Sequence, residues 1–314
     1  MKIQFWGVRG SVPAPVTPMQ IQLKISAIIQ RISPKDVISP EAKEKFISTI
    51  PDWQFGTSGG NTPCISITTD EGFQIVLDCG TGIRCYGKSL SQDASSEFHI
   101  FISHFHWDHI QGLPFFDQAF LPKTVLNFYS FSENAEQILR NQMIQPYFPV
   151  TFDSFTKNVN FKSLSHGSSF YIGNTQIFCC KMSHPGSSFS YTFIENSKKF
   201  VYATDVELSD CDYTEDAEHI NSFKDADVIV LDSQYTVEEA NRKVNWGHSA
   251  FCSAIDFAVH WNIKKIYLYH HEPSYDDKKL NSILLSARWY AKYIVHSKIE
   301  VYLSTENTEI SLKG

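Results

Sequence analysis

The most informative part of the sequence for chemistry is the run from His104 to His109, which reads His-Phe-His-Trp-Asp-His. It follows the apolar segment 98–103, which we predict to be a strand. Residues two apart in an extended chain point to the same side, so His104, His106 and Asp108 are expected to share one face. His109 is expected to turn back toward the same point. Imidazoles and a carboxylate are the ligands that zinc and similar divalent metals prefer, so the run predicts a metal site.

The elements that position this run are mostly strands, with helices between and after them. Alternating and apolar segments predict strands at 2–6, 64–69, 73–78, 98–103, 124–130, 175–183, 188–195, 199–204, 227–232, 264–269 and 299–304. Helical spacing predicts helices at 132–145, 213–224, 249–262 and 278–296. This order favours an α/β (α+β) fold in which two sheets pack face to face with helices outside.

The 314 residues are near the upper limit for one hydrophobic core. We predict a single domain over 1–314, although two closely packed domains are also compatible with this length. Apolar residues recur at roughly helical spacing within 17–50, which predicts a helical insertion there. Seven cysteines, an odd number without a C-x-x-C pair, favour reduced thiols and a cytoplasmic protein. Neither a signal peptide nor a membrane-spanning stretch is expected.

The net charge of −7 bears on possible partners. Proteins that grip long nucleic acids usually present a basic face, whereas Lys and Arg are scattered here, so a long nucleic acid is not favoured. A small anionic substrate fits better, because bound metal ions would supply positive charge locally.

The run 104–109 resembles the H-x-H-x-D-H motif of the metallo-β-lactamase superfamily. The resemblance implies an αββα sandwich of two mixed β-sheets with helices on the outer faces. Three later residues match further ligands of that superfamily in order, namely His184, Asp205 and His270. The alternative to His270 is His271; we prefer His270 because it directly follows the strand 264–269.

The resemblance implies two divalent metal ions, zinc first, with manganese or iron as alternatives. His104, His106 and His184 would hold one ion, Asp108, His109 and His270 the other, and Asp205 would bridge them. It also implies that Asp78 and Asp232 support these ligands through hydrogen bonds. The presence of His106, where flavodiiron-type members have glutamate, favours hydrolysis over redox chemistry.

The segment Gly247-His248-Ser249 resembles one in tRNase Z-like phosphodiesterases, in which the histidine faces the scissile phosphate. We therefore predict Asp108 and His248 as the catalytic residues, with His248 at the start of a helix. The glycine segments 7–11 and 59–62, together with 106–116, resemble bacterial phosphodiesterase-like members. Gly59 and Gly60 are expected to form a tight turn near the metals.

The spacing between His184 and Asp205 bears on the substrate. tRNase Z proteins carry a long arm that grips tRNA in this interval, but here only 21 positions separate the two residues, and they predict two strands and a turn. The resemblance without the arm favours a small phosphodiester, specifically a 3′,5′-cyclic nucleotide. The aromatic run 113–116 is either a wall for the base or part of the core.

Three other functions stay open. A lactonase or thioesterase would use the same metals without needing His248. An RNA nuclease of the tRNase Z type would bind RNA with strong salt dependence. A sensor would bind a ligand without turnover, although the complete ligand set argues against it. Dimers are common among the relatives, so a homodimer is a further expectation, with the 17–50 insertion at its interface or as a lid.

Overall fold

The computed structural model describes residues 1–91, 97–165 and 167–314, and its framework is two seven-stranded sheets. The first sheet has the order β14-β1-β2-β3-β4-β5-β6. Its strands are β1 (Lys2–Gly7), β2 (Cys64–Thr68), β3 (Gln74–Leu77), β4 (Glu97–Phe101), β5 (Val125–Ser130), β6 (Asn158–Ser163) and β14 (Glu309–Ser311). β3, β4, β5 and β6 run parallel to one another, whereas β14, β1, β2 and β3 pair antiparallel.

The second sheet repeats this mixed pattern, in the order β13-β12-β11-β10-β9-β8-β7. Its strands are β7 (Ser169–Ile172), β8 (Thr175–Met182), β9 (Ser188–Glu195), β10 (Lys198–Ala203), β11 (Val228–Asp232), β12 (Lys265–Tyr269) and β13 (Glu300–Leu303). β10 to β13 are parallel, and the hairpins β7-β8, β8-β9 and β9-β10 are antiparallel. Parallel strands place their carboxyl ends on one edge of a sheet, where functional side chains commonly gather.

Helices cover the outer face of each sheet. The α-helices are α1 (Pro18–Arg31), α2 (Pro40–Ile47), α3 (Asp52–Phe55), α4 (Gly82–Ser89), α5 (Trp107–Ile110), α6 (Ala135–Asn141), α7 (Ala217–Phe223), α8 (Val237–Arg242), α9 (Phe251–His260) and α10 (Asp277–Tyr293). α4 and α6 pack on the first sheet, and α7, α9 and α10 pack on the second. A third apolar cluster, which includes Phe101 and Tyr191, fills the space between the sheets. The predicted αββα sandwich of two mixed sheets is therefore confirmed.

The segment 17–50 is helical, as the spacing of its apolar residues predicts. α1 begins with a capping box, since the hydroxyl of Thr17 accepts from the backbone N–H of Gln20 and the Gln20 side chain accepts from Thr17. Lys24 attaches α1 to the body of the protein through the carboxylate of Asp277, at 2.5 Å. α1 itself buries no residue, so its stability depends on such contacts more than on a buried face.

Within the described residues, no helix combines the length and the apolar character needed to cross a membrane.

Candidate active site

The candidate metal-binding side chains lie at one edge of the sandwich, where several strands end. His104 follows β4, His184 follows β8, Asp205 follows β10 and His270 follows β12. The short helix α5 then brings Asp108 and His109 to the same place. The chain turns sharply at this edge, because Asp205 and His270 have φ angles of 52° and 61°. Such left-handed backbone costs energy in residues other than glycine and is concentrated at functional sites.

Two groups of donor atoms form at this edge, and they share one carboxylate. The first contains His104, His106, His184 and Asp205, and the second contains Asp108, His109, Asp205 and His270; within each group the donor atoms lie within 4.8 Å of one another. The structure thus brings together all seven side chains that the sequence singled out. Each set of imidazole and carboxylate donors suits a divalent metal such as zinc.

The neighbouring histidine does not join this group. Nε2 of His270 lies 3.1 Å from Asp108 and 3.2 Å from Asp205. His271 is also buried, but its Nε2 lies 2.8 Å from the carbonyl of Ser304. Burial, followed by the nearby charge of Arg9, lowers the pKa of His271 to about 3. The structure thus places His270 with the donor atoms and His271 in a separate structural contact.

Four histidines of the two groups use Nδ1 for a fixed contact and leave Nε2 for the site. Nδ1 of His184 lies 2.8 Å from the carbonyl of Gly247, and Nδ1 of His270 lies 3.3 Å from the amide oxygen of Gln234. Nδ1 of His104 lies 3.1 Å from the hydroxyl of Ser103, and Nδ1 of His109 lies 2.8 Å from a carboxylate oxygen of Asp78. A metal-binding histidine is normally held through its other nitrogen in this way, which fixes the tautomer and the ring orientation.

Two buried nitrogens indicate that a cation fits between these groups. Nε2 of His104 and Nε2 of His109 are inaccessible and form no hydrogen bond within the described chain. Nε2 of His109 nevertheless lies 3.1 Å from a carboxylate oxygen of Asp205 and 3.3 Å from one of Asp108. Buried polar atoms are rarely left without a partner. These nitrogen and oxygen atoms converge without the alignment of a hydrogen bond. A metal ion between them would accept their lone pairs.

The ionisation of the buried groups follows their surroundings. Burial lowers the pKa of His104 well below its usual value, and positive charge on His109 adds to this. Burial also acts to lower the pKa of His109, but the Asp205, Asp108 and Asp78 carboxylates outweigh it and hold that pKa well above the usual value. For Asp205, burial opposes ionisation, but His270, His109 and His104 together keep its pKa well below the usual range. The carboxylates that favour a proton on His109 would equally attract a metal cation, and the bound cation would replace that proton at Nε2.

Asp78 is the centre of a buried hydrogen-bond network behind the donors. One oxygen accepts from the backbone N–H of Ser103, at 2.7 Å. The other accepts from the Ser103 hydroxyl and the Tyr202 hydroxyl, both at 2.7 Å, and lies 2.8 Å from Nδ1 of His109. The Ser103 hydroxyl lies 3.1 Å from Nδ1 of His104. A single carboxylate therefore orients one histidine of each group.

His248 and Asp232 form a hydrogen-bonded pair beside the two donor groups. Nδ1 of His248 lies 2.7 Å from an Asp232 oxygen, while the other Asp232 oxygen accepts from the backbone N–H of Ser249. The His248 ring is stacked 4.9 Å from that of His270 and lies 5.5 Å from that of His184. Burial alone would lower the pKa of His248, but the Asp232 carboxylate outweighs it and raises that pKa to about 9. The imidazolium can therefore donate a proton at this site.

The loop that carries His248 is held by Glu207. Its carboxylate accepts from the backbone N–H groups of Asn245 and Gly247, both at 2.9 Å. Gly247 has a φ of 86°, and a Cβ at this position would lie 2.1 Å from Nδ1 of His184. Only glycine therefore allows this backbone to approach His184 so closely.

The structure corrects one expectation about the surroundings of the site and decides part of another that was left open. α9 begins at Phe251, so His248 lies in the loop before the helix and not in its first turn. Gly59 has a φ of 107° and packs against the side chain of Glu306, and a Cβ at Gly10 would lie 2.6 Å from the His270 ring. In the aromatic run 113–116, the core alternative is confirmed for Phe116, which is completely buried against Tyr86 and Phe98.

Sequence reasoning also missed several side chains that position the site. Ser103 directly precedes the histidine run and could have been suspected from that place alone. Tyr202 on β10 and Glu207 in the following loop lie near Asp205 in the sequence. Their hydrogen-bond partners, Asp78 and Gly247, are distant in the sequence. Ser11 has a φ of 60°, and its backbone N–H donates to Asp108 at 2.7 Å. This contact explains why the glycine-rich segment 7–11 lies at the site.

Together, the fold and the site define a metal-dependent hydrolase of the metallo-β-lactamase fold. Residues 74–271, more than half of the chain, match the family model described as the beta-lactamase superfamily domain, and the chain belongs to this family. The matched range contains every candidate metal donor, together with Asp78, Asp232 and His248.

Similarity to individual proteins agrees with a tRNase Z-like branch. A ribonuclease Z from Oceanobacillus iheyensis is 26% identical over 258 residues, which cover 68% of this chain and 83% of that protein. The metallo-beta-lactamase fold protein YhfI from Bacillus subtilis superposes with a TM-score of 0.66 at 14% identity, over 98% of both chains. A diphosphatase from the PhnP family superposes with a TM-score of 0.62 at 14% identity, over 99% of this chain and 98% of that one. At these identities the two solved structures support the fold alone.

Proposed function

We propose that the chain is a two-metal phosphodiesterase acting on a small anionic phosphodiester, specifically a 3′,5′-cyclic nucleotide that it converts to a nucleoside monophosphate. The metal is zinc, with manganese and iron as alternatives. The observation that carries the proposal is the His248–Asp232 pair, 2.7 Å apart, beside two donor groups that share Asp205. Ester or lactone hydrolysis at two metals has no need for this additional proton donor.

The residues divide the work as follows. His104, His106 and His184 would hold one ion, Asp108, His109 and His270 would hold the other, and Asp205, which belongs to both donor groups, would serve both. When bound, paired ions activate a water molecule and stabilise the oxygens of an in-line displacement at phosphorus. Asp232 keeps Nδ1 of His248 protonated and fixes the ring, so that its other nitrogen can deliver a proton to the departing oxygen. Asp108 is held in place by the backbone N–H of Ser11.

The interval between His184 and Asp205 supports a small substrate. It contains only the short connection that leads into β9, the hairpin of β9 and β10, and the turn between these two strands. Asn196 and Ser197 have φ angles of 50° and 60°, which is typical of a tight two-residue hairpin turn. This interval therefore carries no extended arm for gripping a folded RNA, and the net charge of −7 points the same way.

RNA cleavage is the second candidate function, because the Oceanobacillus relative is named a ribonuclease Z. The same metals and the same proton donor would serve either substrate. The two functions differ in how the substrate is held: cleavage of RNA that depends on many phosphate contacts falls steeply with salt, whereas hydrolysis of a single phosphodiester does not.

The test is a substrate panel with protein loaded with zinc or manganese. The panel holds bis(p-nitrophenyl) phosphate, several 3′,5′-cyclic nucleotides, a lactone and a short unstructured RNA, each at two salt concentrations. We expect cyclic nucleotide hydrolysis that depends on metal and changes little with salt. His106→Ala should abolish it, and His248→Ala should lower kcat by about 10²–10⁴-fold.

The matched control is His260→Ala, which removes an exposed histidine at the end of α9 and should leave activity unchanged. Lactone turnover that persists in His248→Ala, without phosphodiester cleavage, would overturn the phosphate chemistry. Preferential RNA cleavage with steep salt dependence would favour the nuclease. Ligand binding without turnover of any substrate would overturn the enzymatic proposal and favour a sensor.

A further inference from the structure

A cavity of about 470 Å³ opens directly beside the first donor group. His104 and His106 form part of its wall, and Phe105, Phe131, Ile138 and Phe189 contribute apolar surface. Its volume falls within the range of small-molecule sites in proteins. A ligand in this cavity would therefore extend away from a group bound at His104 and His106.

Three separate segments build the cavity. Phe105 lies within the histidine run, Phe131 follows β5, and Phe189 lies at the start of β9. The rings of Phe131 and Phe189 are parallel within 6°, with their centroids 3.6 Å apart. Phe189 is 9% exposed, and the backbone N–H of Phe189 donates to the carbonyl of Ser103. The two stacked rings are thus tied to the segment that carries the metal donors.

The character of the lining restricts what the cavity can hold. None of its lining residues is Asp, Glu, Lys or Arg. The Ser103 hydroxyl already donates to Asp78, so the serine hydroxyls left for a ligand are those of Ser132 and Ser187. A second phosphate would find no cation there. A flat, uncharged group with a few hydrogen-bonding atoms on its edge matches both the aromatic walls and the hydroxyls.

The position of His248 sets the direction of the substrate. His248 is not among the cavity's lining residues; it lies against His270 and beside His184. A phosphodiester held at the donor groups can therefore direct its departing oxygen toward His248 while another part of the same molecule enters the cavity.

We infer that this cavity binds the nucleobase of the substrate, with Phe131 and Phe189 as its stacking surface. The inference rests on the proposed function for the phosphate end and adds the residues that select the rest of the molecule. Stacking of a base on an aromatic side chain contributes to affinity with little dependence on base identity. Discrimination between bases would then come from the hydroxyls of Ser132 and Ser187.

Calorimetric titration of the zinc-loaded protein tests the cavity without requiring turnover. The probes are nucleoside 5′-monophosphates and ribose 5-phosphate, which share the sugar phosphate and differ by the base. We expect Phe131→Ala to weaken nucleotide binding by about 5- to 100-fold, from the cost of losing one stacking side chain, and to leave ribose 5-phosphate binding unchanged. Phe131→Tyr should retain nucleotide binding.

Ile138→Trp gives a second measurement in case Phe131→Ala does not fold. It fills the cavity from α6 and should also remove the preference for nucleotide over ribose 5-phosphate. The control is Phe120→Ala, which alters a ring that packs on Phe155 and does not line the cavity. Equal weakening of both probes, or an unchanged preference in both cavity variants, would overturn the inference. Cyclic nucleotide hydrolysis together with an unchanged preference in both cavity variants would refute the cavity alone. A preference that both cavity variants remove, in a protein without phosphodiester hydrolysis, would refute the proposed function alone.

Discussion

The carboxylate of Asp78 lies 2.8 Å from Nδ1 of His109, and both side chains are completely buried. The same carboxylate reaches His104 through the hydroxyl of Ser103. Asp78 has a φ of 59°, so the backbone adopts a costly conformation to place it there. Because the two histidines belong to different donor groups, Asp78 couples the orientation of both.

Asp78→Asn should weaken metal binding by about 10–100-fold, the usual effect of removing a partner that orients a metal ligand. An amide has one acceptor oxygen, so it cannot serve Ser103, Tyr202 and His109 together. The measurement is metal content after dialysis against buffered free zinc. Asp117→Asn, which changes an exposed aspartate, is the control. Unchanged zinc affinity in Asp78→Asn would show that the network does not support the donors.

Gly247→Ala should disrupt the first donor group selectively. The added Cβ would lie 2.1 Å from Nδ1 of His184, and the φ of 86° is unfavourable for alanine. We expect loss of one bound ion per chain and loss of activity. Gly72→Ala separates the two effects, because Gly72 has a similar φ of 91° but a Cβ there would meet nothing within 4 Å. If Gly72→Ala caused the same loss of metal, the collision with His184 would not be the cause.

The donor positions could be predicted because His104, His184, Asp205 and His270 each follow a strand and the remaining three lie in the run that begins at His104. Strand ends can be recognised from local patterns. The order of the seven side chains along the chain then matched a known family. The network behind them could not be predicted in this way. Tyr202 lies 124 positions from Asp78, and a buried tyrosine on β10 resembles any other core residue until the sheets are packed.

The aromatic residues illustrate the same limit. Phe115 and Phe116 are adjacent and identical, but Phe115 is 52% exposed and Phe116 is completely buried, because a short 3₁₀ turn separates their directions. The aromatic cavity instead draws on Phe105, Phe131 and Phe189 from three segments. Helices α4 and α8 also escaped prediction, since they have only eight and six residues and offer few helical repeats to recognise.

The link between α1 and α10 should depend on pH. Burial opposes ionisation of Asp277, but Lys24 and the backbone N–H of Ser58 outweigh it and lower the pKa of that carboxyl. A lowered pKa in the folded state means that this link stabilises the fold above the ordinary value of 3.8 and is lost as the pH falls below it. Hydrogen exchange across α1 should therefore accelerate as the pH falls below this value, after correction for the intrinsic rate.

Lys24→Met should produce the same loosening at neutral pH. It should lower the free energy of unfolding by about 1.5–3 kcal/mol, the range for a hydrogen bond to a charged group. Lys278→Met is a control on the same surface, since Lys278 belongs to α10 and makes no such ion pair among the contacts of the described residues. Protection of α1 that is equal in wild type and Lys24→Met would contradict the role of this contact.

Metal removal should lower Tm. Because Asp205 belongs to both donor groups, variants of different donors should lose different shares of the zinc-dependent rise in Tm. A ligand present at a hundred times its Kd stabilises the folded state by about 2.7 kcal/mol per site. We expect zinc to raise Tm of the wild-type protein through two sites, and a chelator to reverse the shift.

His106→Ala should retain part of the shift, because His106 belongs to the first group only, whereas Asp205→Asn should lose most of it, because Asp205 belongs to both. Thermal scans against free zinc, with zinc content measured in parallel, distinguish these outcomes. Two fully occupied zinc sites in Asp205→Asn would show that zinc binding does not depend on this shared carboxylate.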